Sequence, residues 1–254
     1  MSDADLIRFD QVSKRFGAKV VLDQVSFVLP GGATTVLVGP SGAGKSTILR
    51  LLVGLTRPDS GQISVGGVPL AGLSRDGLME LRKRFGMLFQ EGALFNSMTV
   101  LDNVAFPLLH HSALPLAARR ERALEKLAAV GISAELAGRT PDALSGGQRK
   151  RVGLARAIAL DPEIVLFDEP TAGLDPVTSA AIDALIVDIG GRLETTFLVI
   201  THDVHSCAAI ADYVGLLHDG TLLTFGERDQ VLTSRDPAVR QFFDRQAQGP
   251  LKLV

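Results

Sequence analysis

The sequence predicts an α/β protein in which a mostly parallel sheet is covered by helices on both faces and a helical insert interrupts the pattern. Three observations lead there. Short β-rich runs alternate with helical patterns in both halves of the chain, as parallel strands joined by crossover helices require. A glycine-rich loop stands between one such run and an apolar helical segment. A stretch rich in Ala, Leu, Arg and Glu, from Thr99 to about Gly138, breaks the alternation and reads as helix.

Taken in order, residues 6–9 and 20–29 carry β-branched and alternating residues, and Pro30-Gly31-Gly32 is a turn. Residues 34–38 form a β-rich run ending at Gly39, and a helix is expected over 46–54. Pro58-Asp59-Ser60-Gly61 is a second turn, with short strands expected at 62–65 and 84–89. In the insert, Leu116, Leu124, Leu127 and Val130 recur at amphipathic helical spacing. Alternation then resumes, with strands at 164–167 and 196–200 and helices at 177–189 and 204–211. A hairpin of 214–217 and 222–225 closes around Asp219-Gly220. The polar tail from Asp236 carries Val239, Phe242 and Phe243 at helical spacing.

The bulk properties narrow the function. The 254 residues allow one large α/β domain with an insert, and 46% hydrophobic residues supply a sizeable core. A formal net charge of −2 lacks the basic excess of a protein that grips nucleic-acid backbones, so no nucleic-acid partner is expected. The single cysteine, Cys207, allows no internal disulfide and fits the cytoplasm; it is expected to be a small buried apolar residue. The acidic start, Met1-Ser2-Asp3-Ala4-Asp5, reads as no signal peptide. No apolar run reaches the roughly 20 residues a spanning helix needs.

Three motifs carry chemistry. Gly39-Pro40-Ser41-Gly42-Ala43-Gly44-Lys45-Ser46-Thr47 has the glycine spacing, lysine and hydroxyl of a phosphate-binding loop between strand and helix. Its glycines let backbone N–H groups face one point at a helix start, where an anion is favoured. Lys45 would reach the β and γ phosphates, and Ser46 would offer its hydroxyl to Mg²⁺. Ile164-Val165-Leu166-Phe167-Asp168-Glu169 runs four apolar residues into two carboxylates. Asp168 suits a metal shell, and Glu169 could take a proton from, or orient, an attacking water. Leu144-Ser145-Gly146-Gly147-Gln148 opens an apolar-periodic helix with a good N-cap. It makes a second anion-binding helix start where one nucleotide needs only one.

These motifs in this order resemble the ABC ATPase family, of which LSGGQ is the signature. The resemblance covers roughly residues 5 to 235. It implies a P-loop NTPase core with an N-terminal antiparallel β part and an α-helical subdomain at about 95–160. The whole would be an ATPase domain over 1–240, with a tail at 241–254 that contacts a partner subunit. Phe16 matches the aromatic that stacks on adenine, Gln90 the glutamine that senses Mg²⁺ and the membrane partner, Asp175 the loop that crosses to a second copy, and His202 the switch histidine near the γ-phosphate. Two copies would pack head to tail, each ATP lying between one phosphate loop and the other copy's Ser145-Gly146-Gly147-Gln148.

Within the family, the segment from Phe85 to Val100 and then Asp102-Asn103-Val104-Ala105-Phe106-Pro107-Leu108 looks like the ATPases of Mla/MCE systems, which move phospholipids across the envelope of Gram-negative bacteria. Some of those vary the last residue of LSGGQ, which is standard here. The implied partners are an integral-membrane permease, an MCE-domain lipid-binding protein and a STAS-domain regulator, with the chain peripheral on the cytoplasmic face of the inner membrane. Leu94 and Phe95 read either as an exposed apolar knob for the permease or as core. Rival readings are an ABC ATPase for another cargo such as amino acids, a non-transport ABC protein, and a small-molecule kinase, which would not need LSGGQ or the histidine. His110-His111 and His202/His205 lack zinc-type companions and read as solvated or packed side chains.

Overall fold

The computed structural model describes residues 5–251; the first residues of the acidic N-terminus and the last three of the tail lie outside it. By contacts the chain separates into two compact units, one of residues up to 78 together with those from 198 onward, the other of residues 79–197. Among the described residues, hydrogen bonding arranges ten strands in two sheets, one of four strands and one of six.

In the first unit, β1 (Ile7–Phe16) pairs antiparallel with both β2 (Lys19–Leu29) and β4 (Ser60–Val65), and the short β5 (Val68–Pro69) lies at the edge. Alternation buries Ile7, Phe9 and Val12, and the Phe9 and Phe27 rings stack 4.5 Å apart. The strand runs well past residue 9, where the sequence pattern fades. Register shifts follow Phe9, and Gln11 and Gln24 both take left-handed φ, of 48° and 49°. These bulges break the period of two without ending the strand. The consequence is that Phe16 stands at the end of β1, beside the turn through Gly17.

The same unit holds β3 (Thr34–Val38), β9 (Tyr213–His218) and β10 (Thr221–Glu227). β3 and β9 are parallel; β9 and β10 form the expected hairpin, with Asp219 and Gly220 both at positive φ as a tight two-residue turn needs. Its helices are α1 (Lys45–Leu52), α7 (Val204–Ile210), α8 (Arg228–Leu232) and α9 (Pro237–Phe243). Cys207 on α7 is fully buried, and burial pushes its thiol up to about 12. In the tail, Gln241 is buried and its amide both donates to the Leu251 carbonyl and accepts from the Leu251 N–H, while Phe242 and Phe243 are only half-buried.

The second unit holds the parallel pair β6 (Phe85–Leu88) and β7 (Ile164–Asp168), with α3 (Val100–His111), α4 (Leu116–Ala129), α5 (Gly146–Ala157) and α6 (Pro176–Leu193). α2 (Arg75–Lys83), which the sequence pattern did not reveal, and β8 (Thr196–Thr201) cross the boundaries between units. Four of β7's five residues are fully buried, so its apolar run does not alternate. The apolar stripe of α4 is narrower than expected. Ala123, Leu127 and Val130 are buried, whereas Leu116 is 63% exposed in the first turn and Leu124 lies on the outer face.

Asn103 on α3 is fully buried and organises the loop before it. Its amide nitrogen donates to the Phe95 and Thr99 carbonyls at 3.1 and 3.0 Å, and its oxygen accepts from the Phe95 N–H at 2.8 Å. Replacing it with alanine strands those buried backbone groups. Asn103→Ala is expected to cost about 1–3 kcal/mol in chemical denaturation; a loss within error of zero would mean water replaces the amide.

Candidate functional site

The phosphate loop belongs to the first unit. β3 is buried from Thr35 to Val38, Gly39 follows it, and α1 starts at Lys45. Two glycines are obligatory for steric reasons. A Cβ at Gly39 would lie 2.0 Å from the Leu217 carbonyl oxygen, and one at Gly44, whose φ is 106°, would lie 2.6 Å from that of Val21. Gly44 is also the N-cap of α1, with no side-chain cap and no acidic residue in the first turn. No carboxylate of the first turn answers the positive end of the helix, which suits an incoming anion. Lys45 is 6% exposed and donates to the Gly39 and Pro40 carbonyls at 2.7 and 3.0 Å, so its ammonium is drawn back over the loop. Ser41 and Gly42 are exposed, Pro40 and Ser46 half-buried, Ala43 and Thr47 buried.

Phe16, 48% exposed, presents its ring at the end of β1. Lys14 lies 5.4 Å from the ring centre and also pairs with Asp59 at 3.0 Å. The Arg15 N–H and then the Lys14 ammonium hold the Asp59 carboxyl below its usual range. His202 is exposed just past β8, where Asp203 caps α7 through the His205 N–H at 2.8 Å.

The second unit carries the two carboxylates. Asp168 ends β7 and Glu169 follows; both are half-buried. Glu169 has φ of +53°, uncommon for a residue with a side chain. Gln90 is exposed two residues after β6. Ser145 caps α5 in a reciprocal box: its hydroxyl accepts from the Gln148 N–H at 3.2 Å, and the Gln148 side chain accepts from the Ser145 N–H at 2.9 Å. The box engages the N–H groups of Ser145 and Gln148; Gly146 and Gly147 lie between them. Asp175 caps α6, accepting from the Val177 and Thr178 N–H groups at 3.0 Å and from the Thr178 hydroxyl at 2.5 Å. The Thr178 hydroxyl, then its N–H, hold the Asp175 carboxyl below its usual range.

Beyond Gln90 the chain is gripped from α5: Arg156 donates to the Gly92 and Ala93 carbonyls at 2.7 and 2.8 Å and lies 5.7 Å from the Phe95 ring centre. Phe95 is 40% exposed and packs on Phe106 at 4.7 Å, while Leu94 is half-buried. These two side chains are thus neither a free knob nor core. A cleft of about 580 Å³ opens among Gln90, Glu91, Leu94, Arg149, Lys150 and Leu174.

Lys150 is the residue that the sequence reading passed over. Its ammonium donates to the carbonyls of both Gln90 and Glu169, bringing those two segments within reach of one group. The signal was present: Gly147, Lys150, Leu154 and Ala157 recur at the spacing of a buried helix face, and all four are buried. A lysine within such a stripe is there for something other than packing. The histidines of the insert, His110 and His111, are exposed, with His110 against the Phe106 ring at 4.5 Å.

Comparison with known proteins agrees with this geometry. The family model described as ABC transporter matches residues 22–172, a span that includes the phosphate loop, Gln90, residues 145–148 and both carboxylates but not Phe16, Asp175 or His202. The chain is 42% identical over 252 residues to the "Intermembrane phospholipid transport system ATP-binding protein MlaF" of Escherichia coli, covering 98% of this chain and 93% of that protein. It is 43% identical over 247 residues to the "Probable ribonucleotide transport ATP-binding protein mkl" of Mycobacterium tuberculosis, covering 97% of this chain and 68% of that one. Among solved structures, a dimeric ATP-binding cassette in a post-hydrolysis state with ADP and Pi superposes with a TM-score of 0.80 at 31% identity, covering 87% of this chain and 98% of that one. The cbiO1 subunit of an ABC transporter complex from Clostridium perfringens superposes with a TM-score of 0.84 at 28% identity, covering 96% of each chain. By that family match and these likenesses, the chain belongs to the ABC transporter family as a subunit that binds and hydrolyses ATP.

Proposed function

We propose that this ATPase works as a pair of copies on the cytoplasmic face of the inner membrane and drives a separate permease that moves phospholipids between membranes. The observation that carries the cargo is the extent of the likeness to MlaF: 42% identity runs through 98% of this chain and 93% of that protein. The mkl proteins are as similar over this chain but share only 68% of their own length, so their cargo is the weaker guide. No helix among the described residues is long and apolar enough to cross a membrane, which suits a subunit that acts on a separate permease.

Within the pair, the loop from Gly39 to Thr47 takes the phosphates, Lys45 reaches their terminal oxygens, and Phe16 stacks on the adenine. Ser46 offers a hydroxyl, Gln90 an amide oxygen and Asp168 a carboxylate oxygen, each a donor type that suits Mg²⁺. The metal, when bound, neutralises charge on the phosphate oxygens. Glu169 accepts a proton from the attacking water, His202 faces the γ-phosphate, and the second copy contributes residues 145–148 and Asp175. Need for a second copy explains two glycine-rich helix starts in a chain that handles one nucleotide per phosphate loop. ATP then closes the pair to the extent that it binds the closed state more tightly than the open one; reversing a mostly open equilibrium takes about 5 kcal/mol.

The test is to tag the Glu169→Gln form, solubilise native membranes gently with ATP present, and identify what co-purifies by mass spectrometry. Recovery of a permease with an MCE-domain protein, a STAS-domain protein and phospholipid is the expected result. A permease accompanied by a periplasmic solute-binding protein would overturn the phospholipid assignment while leaving the ATPase chemistry in place.

A further inference from the structure

Lys150 lies one turn into α5, is 5% exposed, and has no packing reason to be charged. Burying an ammonium is unfavourable unless its donors are met. Here they are met by main-chain oxygens at two chosen points: the carbonyl of Gln90 and, at 3.2 Å, the carbonyl of Glu169. The second contact falls on the residue whose backbone is held at φ +53°. The same carbonyl accepts from the Ala172 N–H at 3.2 Å, so the Glu169 peptide is pinned from two sides. A non-glycine residue whose backbone is kept in the left-handed region persists there where the surrounding structure over-determines it.

We propose that Lys150 is a positioning residue for hydrolysis: its ammonium ties the backbone at Gln90 to the backbone at Glu169 and so fixes where the Glu169 carboxylate stands. The inference rests on the reading of Glu169 as the group that activates water. It gives the Gln90 segment, which follows β6, a direct mechanical link to the carboxylate that follows β7, so that movement at one is felt at the other. Lys150 also stands in the field of three carboxylates: burial disfavours its charged form, and Glu169, Glu91 and Asp168 favour it. The geometry calls for a cation with several donors at that point, which neither methionine nor glutamine supplies.

The role predicts a split between turnover and binding. In the full chain, Lys150→Met is expected to lower kcat by about 10–100-fold, the scale on which small displacements of a catalytic group act. KM for ATP is expected to change by less than about twofold, since the phosphate loop is untouched. Lys150→Arg, which keeps the charge and several donors, is expected to restore most of the lost kcat. Lys150→Gln serves as the second neutral variant should the methionine form fail to fold. The inference is overturned if the neutral variants keep kcat within twofold of the parent, if kcat and ATP affinity fall together with the melting temperature, or if arginine rescues nothing. Glu169→Gln in the same assay separates this from the reading beneath it. If that variant retains turnover, the assignment of Glu169 fails; if it is dead while Lys150→Met is normal, only the positioning role fails.

Discussion

Glu169→Gln is expected to reduce ATP turnover by at least two orders of magnitude while leaving ATP binding intact. Amide and carboxylate have nearly the same shape, so the change removes proton acceptance and charge but little packing. Positioned general bases contribute about 10²–10⁴-fold. Glu169 is half-buried after β7, and its carbonyl is held by the Lys150 ammonium and the Ala172 N–H, so glutamine should occupy the same place. With the γ-phosphate no longer removed, the closed pair of copies should accumulate. Phosphate release measures the first effect and size-exclusion chromatography with ATP and Mg²⁺ the second. Near-normal phosphate release would remove Glu169 as the key carboxylate. A monomer in saturating ATP would count against the two-copy arrangement.

Lys45→Ala is expected to act earlier, on binding itself. Charge-assisted hydrogen bonds contribute roughly 1.5–3 kcal/mol each, so losing one to a terminal phosphate weakens ATP by about 10–150-fold. The structure adds a second loss. The same ammonium bridges the Gly39 and Pro40 carbonyls at 2.7 and 3.0 Å, and alanine unties the loop at both points. Fluorescent-nucleotide titration reads the affinity directly. An unchanged dissociation constant together with unchanged hydrolysis would undo the assignment of the phosphate loop.

The parts legible in the sequence are those whose physics is local. The run of Thr34 to Thr47 declares itself because strand, glycines, lysine and helix are consecutive, and the hairpin at Asp219-Gly220 because positive φ at both residues demands a particular dipeptide. The continuation of β1 to Phe16 was hidden by the irregularity at Gln11, which shifts the pattern along that strand. On α4, Leu116 and Leu124 satisfied the spacing rule but had no facing surface, because Ala123, Leu127 and Val130 already fill the contact. Lys150 and Arg156 bond to main-chain carbonyls brought near only by the tertiary fold; the buried stripe of α5 marks Lys150 as unusual, but nothing in the adjoining sequence names the partners of either. Asn103 bonds close by, to Phe95 and Thr99, through a loop whose conformation no periodicity reveals. Asp175 and Ser145 carried the opposite lesson: their short-range caps are plain in the structure, and any part they play toward a second copy must coexist with those caps.

The left-handed backbone at Glu169 has a consequence for evolution and engineering. A residue with a Cβ is worse there than glycine by roughly 1–2 kcal/mol, so glycine at 169 would make a sturdier but inert protein. The position is a standing trade-off between durability and chemistry. Any search for heat-resistant variants that does not also demand hydrolysis is expected to be drawn to this residue, and to select against the carboxylate proposed to activate water.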